Sequence, residues 1–135
     1  MTAASLFSNI PDKDVMHFGI GDAFKPELVS KWLGFQKTDV AKVADVSPKS
    51  VRYDQNVPTA VFDRLQEIAI TINLVAKIFE GDVNKTALWF KIKNPMLGDV
   101  SPRDMVRLGR FDRLRKVIVS AMTDPRAVSN STCNT

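Results

Sequence analysis

Between Pro58 and Glu80 the chain carries Val61, Phe62, Leu65, Ile68, Ala69, Ile72, Val75, Ala76 and Phe79 at three- and four-residue spacing, and Gly81 follows. That recurrence is the period of an α-helix, and it draws one continuous apolar stripe. In the second half Ile70, Leu74 and Ile78 add another stripe on roughly the opposite side. A helix apolar on two sides has to be covered on two sides. The spacing therefore predicts a central core helix, with a dimer or partner contact as the alternative. At 135 residues the chain is long enough to bury a core without disulfides or a metal.

Shorter helical patterns surround this one. Leu28, Val29, Trp32 and Leu33 lie between Pro26 and Gly34, a natural helix stop. Lys37 to Ala44 sets Val40, Ala41 and Ala44 on one face. A further helix is expected from Ser47-Pro48, a serine cap followed by proline at the first helical position. Beyond Gly81, the segment from about Asn84 to Lys93 carries Ala87, Leu88, Phe90 and Ile92 around Trp89, and Asn94-Pro95 breaks it. Ser101-Pro102-Arg103-Asp104 restarts the chain with a cap, a proline and an acid suited to a helix N-terminus. Gly109 separates that short helix from a last one, about Arg110 to Met122, with Phe111, Leu114, Val117, Ile118 and Ala121 on its apolar face.

No alternation is long enough for a strand, so the expected fold class is all-α. Residues 1–25, with Pro11, Gly19 and Gly21 and no clear period, read as a flexible arm, and 123–135 as a flexible tail. Between them the expected order is a helix-turn-helix subdomain at 26–57, a linking helix at 58–80 and a small helical domain at 81–122.

The stretch from Val40 to Val51 has helix-turn-helix spacing. Ala41 is small where two helices would cross, Val46 and Val51 would anchor the second helix to the first, and Ser47 would cap it. Asp45 falls where the turn needs a left-handed residue, which its short polar side chain tolerates. On such a recognition helix Lys49, Ser50, Arg52 and Tyr53 would face outward to DNA, with Ser47 at its start among the DNA-binding residues, and Lys37 and Lys42 would flank the phosphate backbone. Plain packing of two short helices accounts for the same spacing. The net charge of +4 is compatible with nucleic acid without requiring it.

Other function classes find little support. The single cysteine, Cys133, allows neither an intramolecular disulfide nor a cysteine metal cluster, and points to a reducing, cytoplasmic setting. The first ten residues lack the features of a secretory signal, and no run of ~18 apolar residues is present to span a membrane. His17 is the one histidine, and neither a phosphate-binding glycine loop nor a metal-ligand spacing accompanies it. A non-enzymatic protein without a cofactor is expected.

The motif series Ala87-Leu88-Trp89-Phe90, Lys93-Asn94-Pro95, Leu97-Gly98, Val100-Ser101-Pro102, Met105-Val106 and Gly109, closed by a helix with Val117, resembles the C-terminal toxin-binding domain of the Xre/MbcA/ParS-like antitoxins. With the preceding helix-turn-helix and long helix, the resemblance covers roughly Pro26 to Met122. Trp89, Leu97, Gly98, Ser101 and Pro102 are structural in this reading: an anchor, a tight turn and a helix start. The resemblance implies an antitoxin that pairs with a RES-domain toxin, which consumes NAD or transfers its ADP-ribose. It implies that the C-terminal domain covers the toxin's NAD-binding cleft. It also implies repression of the shared promoter, with the chain as a homodimer or in a hetero-oligomer with the toxin. Asp45 departs from the family's common turn glycine.

One feature belongs to this sequence itself. Arg103, Arg107, Arg110, Arg113, Arg115 and Lys116, against Asp104 and Asp112, concentrate a surplus of four positive charges in one short region. A solvated face, contact with an acidic toxin surface and contact with DNA phosphates all fit such a run. A stand-alone helix-turn-helix regulator is the competing function.

Overall fold

Where helices start, short polar side chains or proline stand at the boundary. The computed structural model describes residues 14–123, and within them α1 (Pro26–Leu33), α2 (Lys37–Ala44), α3 (Thr59–Ile78), α4 (Val83–Lys91), α5 (Pro102–Arg107) and α6 (Phe111–Thr123) follow in order. Asp82 accepts the Lys85 backbone N–H at 3.0 Å to cap α4, and Ser101 accepts that of Asp104 at 3.1 Å to cap α5. At α2 the Asp39 carboxylate reaches back to the Gln36 N–H at 3.0 Å. These side chains satisfy donors that a helix N-terminus otherwise leaves open. The fold is all-α, and among the described residues no helix is long and apolar enough to cross a membrane.

The two-sided stripe is explained by packing within the chain. Six consecutive residues of α3, Thr71 to Ala76, are buried, and α1, α2, α4 and α6 all pack against this helix. Its own neighbours cover it on both sides, so no second protein is needed to do so. The flanking helices also meet each other. Helix α2 packs on α5, and Arg103 of α5 donates to the Leu33 and Gly34 carbonyls at the end of α1 while its guanidinium lies over the Phe35 ring. Residues from α1 to α6 share one hydrophobic cluster.

Three expectations need correction. Residues 14–25, read as part of a flexible arm, pack on α1 and α3. Phe18 is 3% exposed and Phe24 4%, with the Phe24 ring edge-on to Phe62 at 5.3 Å. Asp14 holds this segment in place: its carboxylate accepts the N–H groups of Phe18 and Gly19 and one from Asn73 Nδ2, while Asn73 Oδ1 accepts from the Met16 N–H. Gly19 (φ +96) is required there, because a Cβ would stand 2.2 Å from the Ala23 carbonyl oxygen. The glycines that suggested looseness shape a tight turn. The rest of the expected arm, residues 1–13, and of the tail, residues 124–135, lie outside the described residues.

The second correction concerns Ser47-Pro48. The cap forms, with Ser47 Oγ accepting the Lys49 N–H at 3.2 Å, but it starts a single 3-10 turn, Pro48–Ser50, in place of an α-helix. Val51 is already extended (φ −76, ψ 112) and buried, and Asp54 then pulls in the Asn56 N–H at 2.9 Å. A local Asx turn and the nearby Pro58 draw the backbone out of the helical region and into α3.

Third, Trp89 is half-buried, and the aromatic side chain on which the core closes is its neighbour Phe90, 2% exposed. Trp32 and Trp89 both meet the Phe90 ring edge-on, at 5.3 and 5.2 Å.

Candidate functional site

The basic cluster divides into two sets. Arg103 is committed to the end of α1, and Arg107 donates to Asp104 at 3.1 Å. Arg115 pairs with Glu67 of α3 at 3.0 Å and with Asp112 at 3.5 Å, and lies over the Phe111 ring. Arg103 and Arg115 link separate elements, whereas the Arg107 pair stays within α5. Arg110, Arg113 and Lys116 are exposed and form no ion pair with any described residue. Arg110 stands just before α6, and on the helix itself Arg113 and Lys116 lie on the side turned away from buried Phe111, Leu114 and Ile118.

Arg64 completes the inner set, and its role was not evident from the sequence. It donates to the Val43 carbonyl at the end of α2 and to Asp112 at 3.2 Å, and its guanidinium also lies over the Phe111 ring, 5.0 Å from the centroid. The hydrogen bond from Arg64 holds the Asp112 carboxyl below its ordinary value of 3.8, more strongly than partial burial raises it. The available signal was a cation inside the apolar stripe of α3, with Glu67 one turn on.

Around the turn after α2, Asp45 takes the left-handed conformation (φ 56) that the sequence required of it. Lys37, Lys42 and Lys49 are exposed and without ion pairs among the described residues. Arg52 is different: its Nη2 lies 2.6 Å from Asp54 Oδ2, and the pair raises the Arg52 pKa and lowers that of Asp54. Ser50 is half-buried, and Tyr53 packs against the core. The residues expected to read DNA therefore do not stand together on one helix. Ser47 spends its hydroxyl on the local turn.

In the C-terminal half, Leu97 is buried, Gly98 takes the left-handed turn (φ 74), and Pro102 opens α5 from a buried position behind the Ser101 cap. The same half of the chain also carries exposed apolar side chains. Of the six exposed large apolar side chains among the described residues, Val83, Leu88, Ile92, Met96 and Leu108 all fall between positions 83 and 108. Leu88 and Ile92 read in the sequence as ordinary members of an apolar helix; their distance around that helix from Phe90 is the signal that they face outward. Among the described residues no three His, Cys, Asp or Glu side chains gather as a metal site.

No protein-family model, curated protein or solved structure matches this chain. A functional reading therefore rests on its own residues and on the motif resemblance.

Proposed function

We propose that this chain is the antitoxin of a bacterial toxin–antitoxin pair, a cytoplasmic, non-enzymatic protein whose C-terminal half binds a RES-domain toxin and covers its NAD-binding cleft. The observation that carries the reading is the concentration of exposed apolar side chains between Val83 and Leu108, within the stretch that bears the antitoxin-like motif series. Exposed apolar side chains gathered in one part of a chain are candidates for protein contact. The exposed cations Arg110, Arg113 and Lys116 add positive charge suited to steering an acidic partner.

Repression of the shared promoter belongs to the same proposal, with Lys37, Lys42 and Lys49 as salt-sensitive phosphate contacts and a homodimer or toxin complex as the binding form. A stand-alone regulator is the weaker reading, because it would rest on DNA contact alone, and a three-residue turn offers no helix to lie along a major groove and leaves only phosphate contacts. The test is growth rescue on co-expression with the adjacent open reading frame. Rescue is expected, and Arg110→Glu with Arg113→Glu and Lys116→Glu should weaken it. A neighbour that is not toxic, or full rescue by residues 14–57 alone, would overturn the proposal. In a parallel mobility shift, Lys49→Ala should lower the salt dependence of promoter binding while Arg52→Ala, already neutralised by Asp54, should change it less.

A further inference from the structure

The outer side of α4 carries a surface that the core does not use. Thr86 and Phe90 are the buried residues of this helix. At 3.6 residues per turn Leu88 lies on the opposite side, with Ile92 about 40° from it and Lys91 and Lys85 about 60° to either side. Leu88 is 58% exposed, and Ile92, which closes the helix, 50%. Single exposed aliphatic residues are ordinary, but two of them four residues apart form a ridge of the kind that interdigitates with another helix.

Lys85 and Lys91 flank the ridge, and Lys93 follows it in the chain. Lys85, Lys91 and Lys93 are exposed, and none of them pairs with a carboxylate among the described residues. Asp82, the nearest acid before them in the chain, uses its carboxylate to cap the helix at the Lys85 backbone N–H. An aliphatic ridge between cations is complementary to an aliphatic groove between carboxylates.

We infer that the outer face of α4 docks an acidic amphipathic helix of a partner protein, with Leu88 and Ile92 entering its apolar groove and Lys85, Lys91 and Lys93 meeting its carboxylates. The inference rests on reading the C-terminal half as the partner-binding half, but not on the partner being a toxin. A second copy of this chain would bring the same lysines against themselves. Nucleic acid would leave the two aliphatic side chains against phosphate. A nine-residue helix fixed to the core by its inner side has only this short ridge to offer a bilayer.

The test titrates the full-length protein with two synthetic helical peptides of about 18 residues, long enough to hold helix in water. Both carry the same leucine stripe, flanked by glutamate in one and by lysine in the other. The glutamate peptide should bind at least about tenfold more tightly. Leu88→Asp with Ile92→Asp should abolish binding of both. Lys85→Glu with Lys91→Glu and Lys93→Glu should invert the preference, because the rim selects by charge. Far-UV circular dichroism reports whether the variants fold, and the glutamate triple keeps the test decisive if the aspartates disturb α4. The inference is overturned if neither peptide binds or if the lysine changes leave the preference intact. It also falls if phosphatidylserine vesicles bind through the same residues without peptide preference, or if the face proves to be a homodimer contact that Leu88→Asp dissociates. Peptide binding without growth rescue would dismiss the antitoxin and keep the docking face; rescue without peptide binding would do the reverse.

Discussion

Phe90 and Trp89 are neighbours in sequence with different weights in the fold. Phe90 is 2% exposed and sits between two indoles, whereas Trp89 keeps one side in solvent. Truncating a fully buried phenylalanine removes its transfer free energy and leaves a cavity, so Phe90→Ala should cost ~3–5 kcal/mol in denaturant unfolding. Trp89→Ala should cost less, about 1–2 kcal/mol, because solvent replaces part of what is lost. Equal losses would place both rings equally deep. The pattern of apolar spacing indicated that an aromatic side chain anchors this helix. Which of two adjacent rings enters depends on the angle at which α4 lies on α3 and α5, and that angle is not a property of the local sequence.

At the scale of elements, arginines link helices that are distant in the chain. Arg103 donates to two carbonyls at the C-terminus of α1, where a helix leaves acceptors open. Arg103→Met keeps much of the stem's packing but removes the donors, and should destabilise by ~1–3 kcal/mol, the range for orphaned polar groups. A calorimetric loss of a few tenths would show that water serves those carbonyls equally well. The Arg64–Asp112 pair makes a second link, between α3 and α6. Asp112 has a folded-state pKa below its ordinary value of 3.8, chiefly through the hydrogen bond from Arg64. Its stabilisation is therefore complete above the unfolded-state value and is lost as pH falls through the folded one. Asp112→Asn should lower stability at neutral pH by under about 1 kcal/mol, since the carboxylate is largely exposed. The wild type and the variant should converge in acid, once the pH has fallen below the folded-state value. A difference that persists there would point to packing as its source.

For the whole molecule, the shared cluster sets how it unfolds. Helices α1 and α2 pack on α3 beside α4 and α6, and α2 touches α5. Removing either flank would expose part of the two-sided stripe of α3. The described chain should therefore unfold in one cooperative step. Trp32 on α1 and Trp89 on α4, which meet at the Phe90 ring, allow this to be checked on two helices. In Trp32→Phe and in Trp89→Phe, the fluorescence of the remaining tryptophan should follow the same denaturant transition as the helical circular dichroism of that variant. Separate midpoints within one variant would show that the chain does not unfold as one unit.

The helical period, the cap at Ser101, the left-handed turns at Asp45 and Gly98 and the double-sided α3 were all legible in the sequence. Each depends on residues within a few positions of one another, where backbone sterics and hydrogen bonds to the nearest N–H groups decide the outcome. The segment around Asp14 and Gly19 was misread as loose because the atoms that order it belong to Asn73, far along the chain. The turn at Pro48 stopped short of a helix because Val51 is drawn inward to the core. The basic run of the C-terminal half was visible as charge, but its division into structural arginines and free cations was not. Glu67, the carbonyls of Leu33 and Gly34 and the Phe35 and Phe111 rings make that division, and only tertiary packing brings the first four of these to the arginines they hold. Local spacing determined which segments are helices; the long-range fit of their side chains decided which charges and apolar residues remain on the surface to meet a partner.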